Sequence, residues 1–429
     1  MTLAEWLEYI ERQHPKSIDM GLERVREVAA RMGLARPADR VVTVGGTNGK
    51  GSTVSFLEAI AREAGWRVGC YTSPHLLAYN ERVRIDGRDA GDGELVAAFE
   101  AVESARGDTA LTYFEYGTLA ALRLFARAGL DLAVLEVGLG GRLDATNLVD
   151  ADVAVITTVD LDHQDWLGAD REAIGFEKAG IARAWRPLVL GDNDPPSSVL
   201  GHAYAIGASA VRIGCDFFLD PAPDDAAAGR WRWREVGYQV DLPMPRLAVP
   251  AQLRNAAVAI AALRALDAPE HKPIGEAAIA GGVAGAVLPA RLQRFERDGV
   301  AVLVDVGHNP QAAAALAQWL AAHPVAGATR AVYAALADKD AAGVVAQLAG
   351  VVDQWYLAGL EGEGVRSCDS ATLRARLAGS VAAQGSLHPE VDAALQAALA
   401  ASGANDRVLV FGSFHTAARA LRLLQAARG

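Results

Sequence analysis

A glycine-rich segment between an apolar run and a helical pattern is the strongest candidate for chemistry in this sequence. The run Val41–Val44 is followed by GGTNGKGST, in which glycines stand at positions 45, 46, 49 and 51. Backbone N–H groups in such a turn converge on an anion, and the N-terminus of the helix behind it adds a favourable dipole. Lys50 can then reach the β- and γ-phosphates, and Ser52 or Thr53 can face a metal ion.

This segment departs from the strict phosphate-loop pattern G-x-x-x-x-G-K-[ST]. Val44 stands five residues before Gly49, and Gly51 follows Lys50 where Ser or Thr is expected. A glycine-rich turn with a solvated lysine is the alternative. The strand before the segment and the helix after it favour a phosphate site. The segment therefore predicts an ATP-like ligand and leaves the reaction open between kinase, switch, ligase and motor.

Three polar residues follow apolar runs or interrupt one, at points where strands are expected to end. They are Ser73 in YTSPHL, Glu136 in LAVLEVGLGG and His163 in DLDHQDWLG. Open α/β sheets bind ligands beyond the carboxyl ends of their strands. A carboxylate inside a buried strand is costly unless it is paired or bound to a cation, and Mg²⁺ prefers oxygen ligands. Glu136 thus indicates a magnesium site, with a salt bridge to Arg142 or another basic residue as the alternative. His163 alone would be an ordinary surface or capping residue.

A parallel sheet is needed to bring these residues together, and the sequence predicts one. Val41–Val44, the helical pattern after the glycines and the run 67–72 form a strand–loop–helix–strand unit. The runs 132–137 and 153–159 are short and rich in β-branched residues, as buried parallel strands are. A helix is expected over residues 171–183.

The rest of the chain divides into two regions of different character. Residues 191–250 contain seven prolines and the alternating RWRWREVGYQV, which predict loops and a hairpin before a helix at about 252–266. From Val300, apolar runs alternate with helical patterns over about 130 residues, a usual domain size. We therefore predict an α/β protein with a P-loop-type, mostly parallel sheet in residues 1–290, a linker at 291–296, and a smaller Rossmann-like α/β domain in residues 297–429.

Composition excludes several classes of protein. The 429 residues are 51% hydrophobic and 22% charged, with 52 acidic and 41 basic side chains and a net charge of −11. These values argue against disorder and against general nucleic-acid binding. The three cysteines argue against a disulfide framework and fit a reducing compartment. No signal peptide and no apolar run long enough to cross a membrane is present, so we expect a soluble, cytoplasmic protein.

The motifs, taken together and in order, resemble the folylpolyglutamate synthase family of the Mur-ligase superfamily, and in particular its bifunctional bacterial members. They are GTNGKGST, YTSPHL followed by NERVRIDG, TYFEYGT, LEVGLGGRLDATN, DHQDWLG, EKAGI and DVGHNP. They span about Ile18 to Pro310, and the closing RVLVFGSFHTAARAL is also similar to the family. Seven motifs in order are far more specific than any one alone.

The resemblance implies a ligase that uses ATP to join L-glutamate to dihydropteroate and to reduced folates through an acyl phosphate. It implies Mg²⁺ (two ions), allows K⁺ as a further cofactor, and implies neither nucleic acid nor membrane as a partner; we expect a monomer. The implied metal ligands are Ser73, Glu136 and His163. The implied ATP contacts are Asn48, Gly49, Lys50, Gly51, Ser52, Asn255, Arg291 and Asp305, the last two from the linker and second domain. The resemblance thus assigns ATP and folate binding to residues 1–290 and a glutamate-ligase role to 297–429.

The resemblance also assigns roles that residue patterns alone do not. Lys178 would otherwise be a lysine extending along an amphipathic helix to solvent, and TYFEYGT would be core aromatics. The family instead implies a carbamylated Lys178 that acts in catalysis with Lys50 and His163, while His308 helps to position phosphate. The implied pterin pocket consists of Asp19, Met20, Gly21, Thr112, Phe114, Glu115, Tyr116, Leu143, Asp144 and Ala145, with the Phe114 ring stacking on the pterin.

Two departures and several alternatives remain at this point. The family often has Gly where Ala290 stands and D-G-A-H-N where Val306–Gly307 stand, which affects expected loop geometry and not chemistry. The alternatives are a monofunctional folylpolyglutamate synthase, another Mur ligase with a different acceptor, a nucleotide switch or kinase, and a non-catalytic binding protein. Basic residues to oppose the anionic substrate could be Arg82, Arg84 and Arg142. Guesses for the glutamate contacts are Asp338, Lys339, Asp340, Ser413 and His415.

Overall fold

The computed structural model divides the chain into two compact units, Met1–Val287 and Leu288–Gly429. It describes all residues except 15, 17, 222–228, 247–248, 267–271, 288, 363–365 and 427–429. The division falls a few residues before the boundary at 290 predicted from the sequence.

The first unit is built on an eight-stranded sheet whose central strands are parallel. Its strands are β1 (Arg40–Gly45), β2 (Val68–Tyr71), β3 (Val83–Ile85), β4 (Arg88–Asp89), β5 (Leu132–Glu136), β6 (Val153–Ile156), β7 (Pro187–Leu190) and β8 (Ser209–Arg212). The order is β4-β3-β2-β5-β1-β6-β7-β8; β2 pairs with β3, and β3 with β4, in antiparallel fashion. The residues of β2, β5 and β6 are all buried, which is why these strands are continuous apolar runs rather than alternating ones.

Ten helices surround this sheet among the described residues. They are α1 (Leu3–Glu11), α2 (Glu23–Arg31), α3 (Lys50–Glu63), α4 (Asp92–Arg106), α5 (Tyr113–Ala128), α6 (Gln164–Leu167), α7 (Arg171–Ala179), α8 (Ser197–Ile206), α9 (Pro250–Ala265) and α10 (Glu276–Gly285). Local sequence sets several ends. Thr112 and Glu115 form a capping box at the start of α5, and Gly129 ends it in a left-handed conformation. The helix expected over 171–183 ends four residues earlier, at Ala179.

The proline-rich region contains a small antiparallel sheet. Its strands are β9 (Phe217–Pro221), β10 (Arg230–Glu235) and β11 (Tyr238–Pro243), in the order β11-β10-β9. The predicted hairpin is confirmed as β10 and β11, and β9 adds a third strand that the sequence analysis missed. The alternation in β10 buries Trp231 and Trp233, and the Trp233 indole donates to the backbone oxygen of Ala257 on α9 at 3.0 Å.

The second unit is a six-stranded sheet with helices between its parallel strands. In chain order it contains β12 (Gln293–Arg297), β13 (Val300–Val304), α11 (Pro310–Ala322), β14 (Thr329–Tyr333), α12 (Ala341–Leu348), β15 (Gln354–Ala358), α13 (Ser370–Arg376), β16 (Ser386–His388), α14 (Val391–Ala400), β17 (Arg407–Phe411) and α15 (Phe414–Ala426). The order is β12-β13-β17-β14-β15-β16, and only β12 is antiparallel to its neighbour. Residues 293–296, predicted as part of a linker, therefore belong to an edge strand. None of the described helices is long and apolar enough to cross a membrane.

Candidate active site

The glycine-rich segment forms a turn between the central strand β1 and helix α3. Gly49 caps α3 in a left-handed conformation with φ of 89°, and Gly46 has φ of 142°. A Cβ on Gly46 would lie 1.9 Å from Thr157 Oγ1, and one on Gly49 would lie 2.5 Å from Asn255 Oδ1. Because side chains are excluded at both positions, glycine is required there for steric reasons as well as for backbone freedom.

Residues after β6 hold this turn in place from one side. Thr47 N donates to the oxygen of Thr158 at 2.8 Å, and Asn48 N donates to the Thr158 hydroxyl at 3.1 Å. The Thr157 hydroxyl donates to the oxygen of Asn48 at 2.6 Å. Lys50 folds back over the turn, where its Nζ donates to the backbone oxygens of Gly46 and Thr47 at 3.0 and 3.2 Å. The loop thus places an ammonium group at its own centre.

Helix α9 supports the same loop from the other side. The side chain of Asn255 donates to Gln252 Oε1 at 3.0 Å, and Gln252 donates to the Ser52 hydroxyl at 3.3 Å. All three residues are buried. The structure therefore brings Asn255, expected as a nucleotide contact, directly against the phosphate loop.

Two of the three predicted metal ligands meet at the carboxyl ends of neighbouring strands. Glu136 ends β5, which pairs with both β1 and β2, and its Oε2 accepts a hydrogen bond from the backbone N of Ser73 at 3.1 Å. Glu136 is 5% exposed. Arg142, considered as a salt-bridge partner of Glu136, pairs with Glu177 at 2.8 Å.

His163 lies at the start of the short helix α6 in an unusual backbone conformation. Its φ is 53°, in the left-handed region that is rare for residues other than glycine. Its backbone N donates to Asp162 Oδ1 at 2.9 Å. No group of three or more His, Cys, Asp or Glu side chains that could hold a metal ion occurs among the described residues. The predicted set contains only two such residues, so a metal ion there needs ligands from the Ser73 hydroxyl, the substrate phosphates or water.

Lys178 is buried on α7 and has lost most of its affinity for a proton. Its side chain is 3% exposed. Its pKa is lowered to about 7, mainly because burial disfavours the charged form and also because of the positive charge of Lys50, while the carboxylates of Asp162 and Asp144 oppose the shift. About half of the Lys178 amines are therefore neutral near pH 7. The sequence-based interpretation of a lysine extending to solvent does not apply.

The loop after β5 is organised around Asp144. Its Oδ2 accepts from the backbone N of Gly138 and Leu139, and its Oδ1 accepts from the backbone N and hydroxyl of Thr146. Burial raises the pKa of Asp144, and these hydrogen bonds oppose the rise. Both oxygens are used to shape the loop that also carries Leu143 and Ala145.

Phe114 and Met20 lie against this loop. A Cβ on Gly138 would meet the Phe114 ring at 2.7 Å, and one on Gly140 would meet Met20 Cε at 3.5 Å. The loop also packs on α7, since a Cβ on Gly141 would lie 3.0 Å from the backbone oxygen of Lys178. The predicted pterin residues from three separate segments thus share one neighbourhood.

Tyr116, also predicted in this set, has contacts in the core of the unit. It is fully buried, and its hydroxyl donates to Glu103 on α4. It also packs edge-on against Phe99 with ring centroids 6.1 Å apart. Its side chain is part of the core beneath α5 because the helical period turns it away from Phe114.

Arg24 is a residue that the sequence analysis missed. Its Nε lies 3.1 Å from both carboxylate oxygens of Glu115, and its NH2 group donates to the backbone oxygen of Asp19 at 2.7 Å. Asp19 and Glu115 were both expected in the pterin pocket, but Arg24 lies 91 residues from Glu115 along the chain. Only the fold reveals this connection.

The second unit gathers its predicted residues beyond the carboxyl end of β13. Buried Asp305 accepts from the backbone N of Leu292 at 2.8 Å and of Gly307 at 2.7 Å. Burial raises its pKa, and the charge of Arg291 opposes the rise. The Arg291 guanidinium lies 5.7 Å from the ring centre of Phe414, which is 6.5 Å from the His308 ring. Arg291, Asp305 and His308 therefore form one cluster, to which sequence analysis had not added Phe414.

Ala290, where the family often has glycine, adopts a left-handed conformation with φ of 50°. It is fully buried, its N donates to Gln293 Oε1 at 3.0 Å, and its oxygen accepts from Val306 N at 3.0 Å. This conformation costs a residue with a Cβ roughly 1–2 kcal/mol. The departure noted in the sequence thus falls at a position where glycine is physically favoured.

The remaining candidates have mainly local partners. Arg84 pairs with Glu58 and Arg142 with Glu177, so neither is an uncompensated positive charge. Among the guessed glutamate contacts, Asp338 pairs with Arg366 at 2.9 Å and Asp340 caps α12. Ser413 accepts from Thr416 N at 2.9 Å at the start of α15. These contacts give them structural roles and do not by themselves indicate a glutamate site.

Comparison with known proteins places this arrangement in a family. The Mur ligase middle domain matches residues 44–216, and the Mur ligase glutamate ligase domain matches residues 290–414. The dihydrofolate synthase/folylpolyglutamate synthase of Escherichia coli strain K12 is 47% identical over 427 residues, which cover 99% of this chain and 96% of that protein.

Solved structures agree over the whole chain. E. coli FolC in complex with DHPP and ADP superposes with a TM-score of 0.92 at 47% identity and covers 100% of this chain and 99% of that one. A bifunctional folylpolyglutamate synthase/dihydrofolate synthase with Mn, AMPPNP and L-glutamate bound gives a TM-score of 0.90 at 44% identity, over 99% and 98% of the two chains.

Proposed function

Because the chain belongs to the dihydrofolate synthase/folylpolyglutamate synthase family of Mur ligases, we propose that the residues described above carry out the ligation of L-glutamate to pteroate and folate acceptors. The protein is an ATP-dependent ligase that joins L-glutamate to dihydropteroate, forming dihydrofolate, and to reduced folates, forming folylpolyglutamates. It uses a divalent metal ion.

The observation that carries the residue assignment is the position of Lys178. Its pKa is lowered mainly by burial and also by the charge of Lys50 in the phosphate loop, while Asp162 and Asp144 oppose the shift. Lys178 therefore lies within electrostatic reach of both the phosphate loop and the loop after β5. A phosphate loop and an acceptor loop that meet at one point are what transfer of a phosphoryl group to an acceptor carboxylate requires.

In the proposed reaction, an oxygen of the acceptor's carboxylate attacks the γ-phosphorus of ATP, and the bond to the bridging oxygen of ADP breaks. This gives an acyl phosphate. The neutral amine of L-glutamate then attacks the acyl carbon, phosphate leaves, and the amine loses a proton as the amide forms. Lys50, the Asn48 side chain and the backbone N–H groups of residues 49–51 bind the phosphates, and the ammonium of Lys50 stabilises the negative charge on the transferred group.

The residues at the ends of β2 and β5 fit a hard divalent cation. Glu136 supplies a buried carboxylate and Ser73 a hydroxyl, which are oxygen donors of the kind that Mg²⁺ prefers. We assign Ser73, Glu136 and His163 as its protein ligands. When bound, two such ions neutralise charge on the phosphate oxygens.

Lys178 is proposed to carry a carbamate. The lowered pKa leaves a large fraction of neutral amine near pH 7, and only the neutral amine forms a C–N bond to CO₂, with release of one proton. The product is a carboxylate where the free lysine would place an ammonium. This exchange turns a group that repels cations into one that supports the metal site.

The residues grouped in the active site also suggest which side chains contact the acceptor and the nucleotide. We propose that the pterin binds among Asp19, Met20, Gly21, Phe114 and the loop of Leu143, Asp144 and Ala145, with Thr112 and Glu115 at the start of α5. We propose that Asn255, Arg291 and Asp305 contact ATP and that His308 positions phosphate.

A panel of acceptors tests the function. Purified protein with ATP, Mg²⁺ and L-glutamate should release phosphate when dihydropteroate is added and again when a reduced folate is added. Phosphate release with only one of the two acceptors would show that the enzyme is monofunctional. Release that does not depend on glutamate contradicts the ligase. Glu136→Ala, which removes the buried carboxylate, serves as the inactive control.

We further propose Mg²⁺ as the physiological ion, K⁺ as a further cofactor, a monomeric state and no binding to nucleic acid. The three cysteines are all free, which agrees with a cytoplasmic location. Activity across a series of divalent and monovalent cations tests the first two proposals, and sedimentation with and without added nucleic acid tests the others.

A further inference from the structure

The segment that precedes α2 has no regular secondary structure of its own. Residues 18–21 belong to neither a helix nor a strand, yet Asp19, Met20 and Gly21 within it are proposed acceptor contacts. An irregular segment binds a ligand tightly only if something else fixes its position, since ordering it on binding costs conformational entropy.

Arg24 connects this segment to the start of α5. Its NH1 group donates to Asp19 Oδ2 at 2.5 Å, its NH2 group to the Asp19 backbone oxygen at 2.7 Å, and its Nε to Glu115 at 3.1 Å. Glu115 in turn accepts from the backbone N of Thr112 at 2.8 Å. One guanidinium thus joins three proposed acceptor contacts into a single chain of hydrogen bonds.

The contacts are partly shielded from solvent, which makes them stronger than surface ion pairs. The side chain of Arg24 is 23% exposed and that of Glu115 is 5% exposed. Lys16 also pairs with Asp19, but its side chain is 66% exposed, and such exposed pairs contribute little. His14 is more buried, but its Nε2 lies 3.6 Å from Asp19 Oδ2. Arg24 therefore makes the shortest contacts with Asp19 and links it to α5.

All three nitrogens of the guanidinium are engaged with Asp19 and Glu115. Few N–H groups remain to contact a ligand. On this geometry, and resting on the proposed function, we propose that Arg24 is a positioning residue that fixes the Asp19–Gly21 segment against α5 and so sets affinity for the pterin of the acceptor.

The test compares Arg24→Ala with a matched variant on the same helix. Arg31 also lies on α2 and donates to Glu27 and to the backbone oxygen of Arg106, but it reaches none of the acceptor contacts. Hydrogen bonds to charged groups imply a loss of about tenfold or more when they are removed. Arg24→Ala should raise KM for dihydropteroate about tenfold, leave kcat within about threefold and leave KM for ATP within about twofold; Arg31→Ala should leave all three close to wild type.

Arg24→Lys keeps the charge but cannot hold both carboxylates at once, so its KM for dihydropteroate should lie between wild type and Arg24→Ala. Dihydropteroate binding without turnover, followed by calorimetry, should show the same order. If Arg24→Ala does not fold, the comparison rests on Arg24→Lys. A wild-type dissociation constant for dihydropteroate in whichever variant folds overturns the proposal. So does an equal rise in KM for ATP and acceptor, or an equal effect of Arg31→Ala. A wild-type protein without glutamate-dependent phosphate release would instead contradict the proposed function.

Discussion

Replacing Lys178 by methionine should make the protein more stable while removing its activity. Methionine keeps the apolar length of the side chain and removes the amine. The pKa of about 7, against an ordinary value of 10.5, means that the folded state holds a proton on this amine far less tightly than the unfolded chain does. At about 1.4 kcal/mol per pH unit, the buried amine costs roughly 4–5 kcal/mol of stability at pH 7 and below.

The difference in stability between Lys178→Met and the wild type should depend on pH. Between about pH 7 and 10.5 the unfolded chain carries the Lys178 proton and the folded protein largely does not. The free energy of unfolding of the wild type therefore rises with pH across this window. The advantage of Lys178→Met should be largest at pH 7 and below and should approach zero near pH 10.5. Other titrating groups are shared by both proteins and cancel in the difference.

Urea unfolding followed by tryptophan fluorescence, at pH 7, 8, 9 and 10 in CO₂-free buffer without nucleotide, measures this difference. Lys178→Arg is the control, because arginine stays charged throughout and should be less stable than Lys178→Met at every pH. If Lys178→Met is no more stable than wild type at pH 7, or if its advantage does not shrink with pH, the reasoning from burial is refuted. With ¹³C-labelled bicarbonate, a carbamate signal should appear in the wild type and be absent from Lys178→Met.

Three further variants test single features of the structure. Ala290→Gly, at φ of 50°, should stabilise the protein by about 0.5–1 kcal/mol, and a urea midpoint at or below that of wild type would contradict this. Gly46→Ala, whose Cβ would lie 1.9 Å from Thr157 Oγ1, should weaken ATP binding, measured by calorimetry, at least tenfold. Gly65→Ala is the control, because Gly65 also has a positive φ but has open space around it, and it should leave ATP binding unchanged. Equal affinities for ATP in the two variants would exclude the steric explanation. Glu136→Gln should reduce Mn²⁺ binding, measured by electron paramagnetic resonance in the presence of a non-hydrolysable ATP analogue, and should leave the melting temperature unchanged. If the variant retains wild-type Mn²⁺ affinity, Glu136 is not a metal ligand.

The family, the fold class and the ligase function were predictable from the sequence and are confirmed by the comparisons. This worked because the informative residues lie close together along the chain. The turn of Gly46 and Gly49 and the buried carboxylate of Glu136 are visible as local patterns next to apolar strands. The parallel sheet then brings the ends of β1, β2 and β5 side by side, as expected for an open α/β sheet.

Features that depend on distant contacts were not predictable. Arg24 is an unremarkable charged residue on an amphipathic helix until the fold places it beside Glu115, 91 positions away. Tyr116 and Phe114 are both aromatic residues of the motif TYFEYGT. Only the orientation of α5 shows that Tyr116 packs in the core and that Phe114 lies against the loop after β5. The left-handed conformation of Ala290 leaves no trace in a single sequence, because alanine at this position is compatible with a helix as well.

Three ionisable side chains at the end of β5, in the loop after it and on α7 are buried. Glu136 is 5% exposed, Asp144 4% and Lys178 3%, and burial shifts the pKa of Asp144 upward and that of Lys178 downward. For Asp144 and Lys178, burial disfavours the charged form, so each of these two positions costs stability that an apolar residue of similar size would not. Asp144 offsets part of the cost by shaping its loop through four hydrogen bonds. Lys178 is a buried amine with a pKa of about 7, and the neutral amine is the form that reaction with CO₂ requires. Burial of Lys178 therefore lowers the stability of the fold and at the same time supplies the neutral amine that carbamate formation needs.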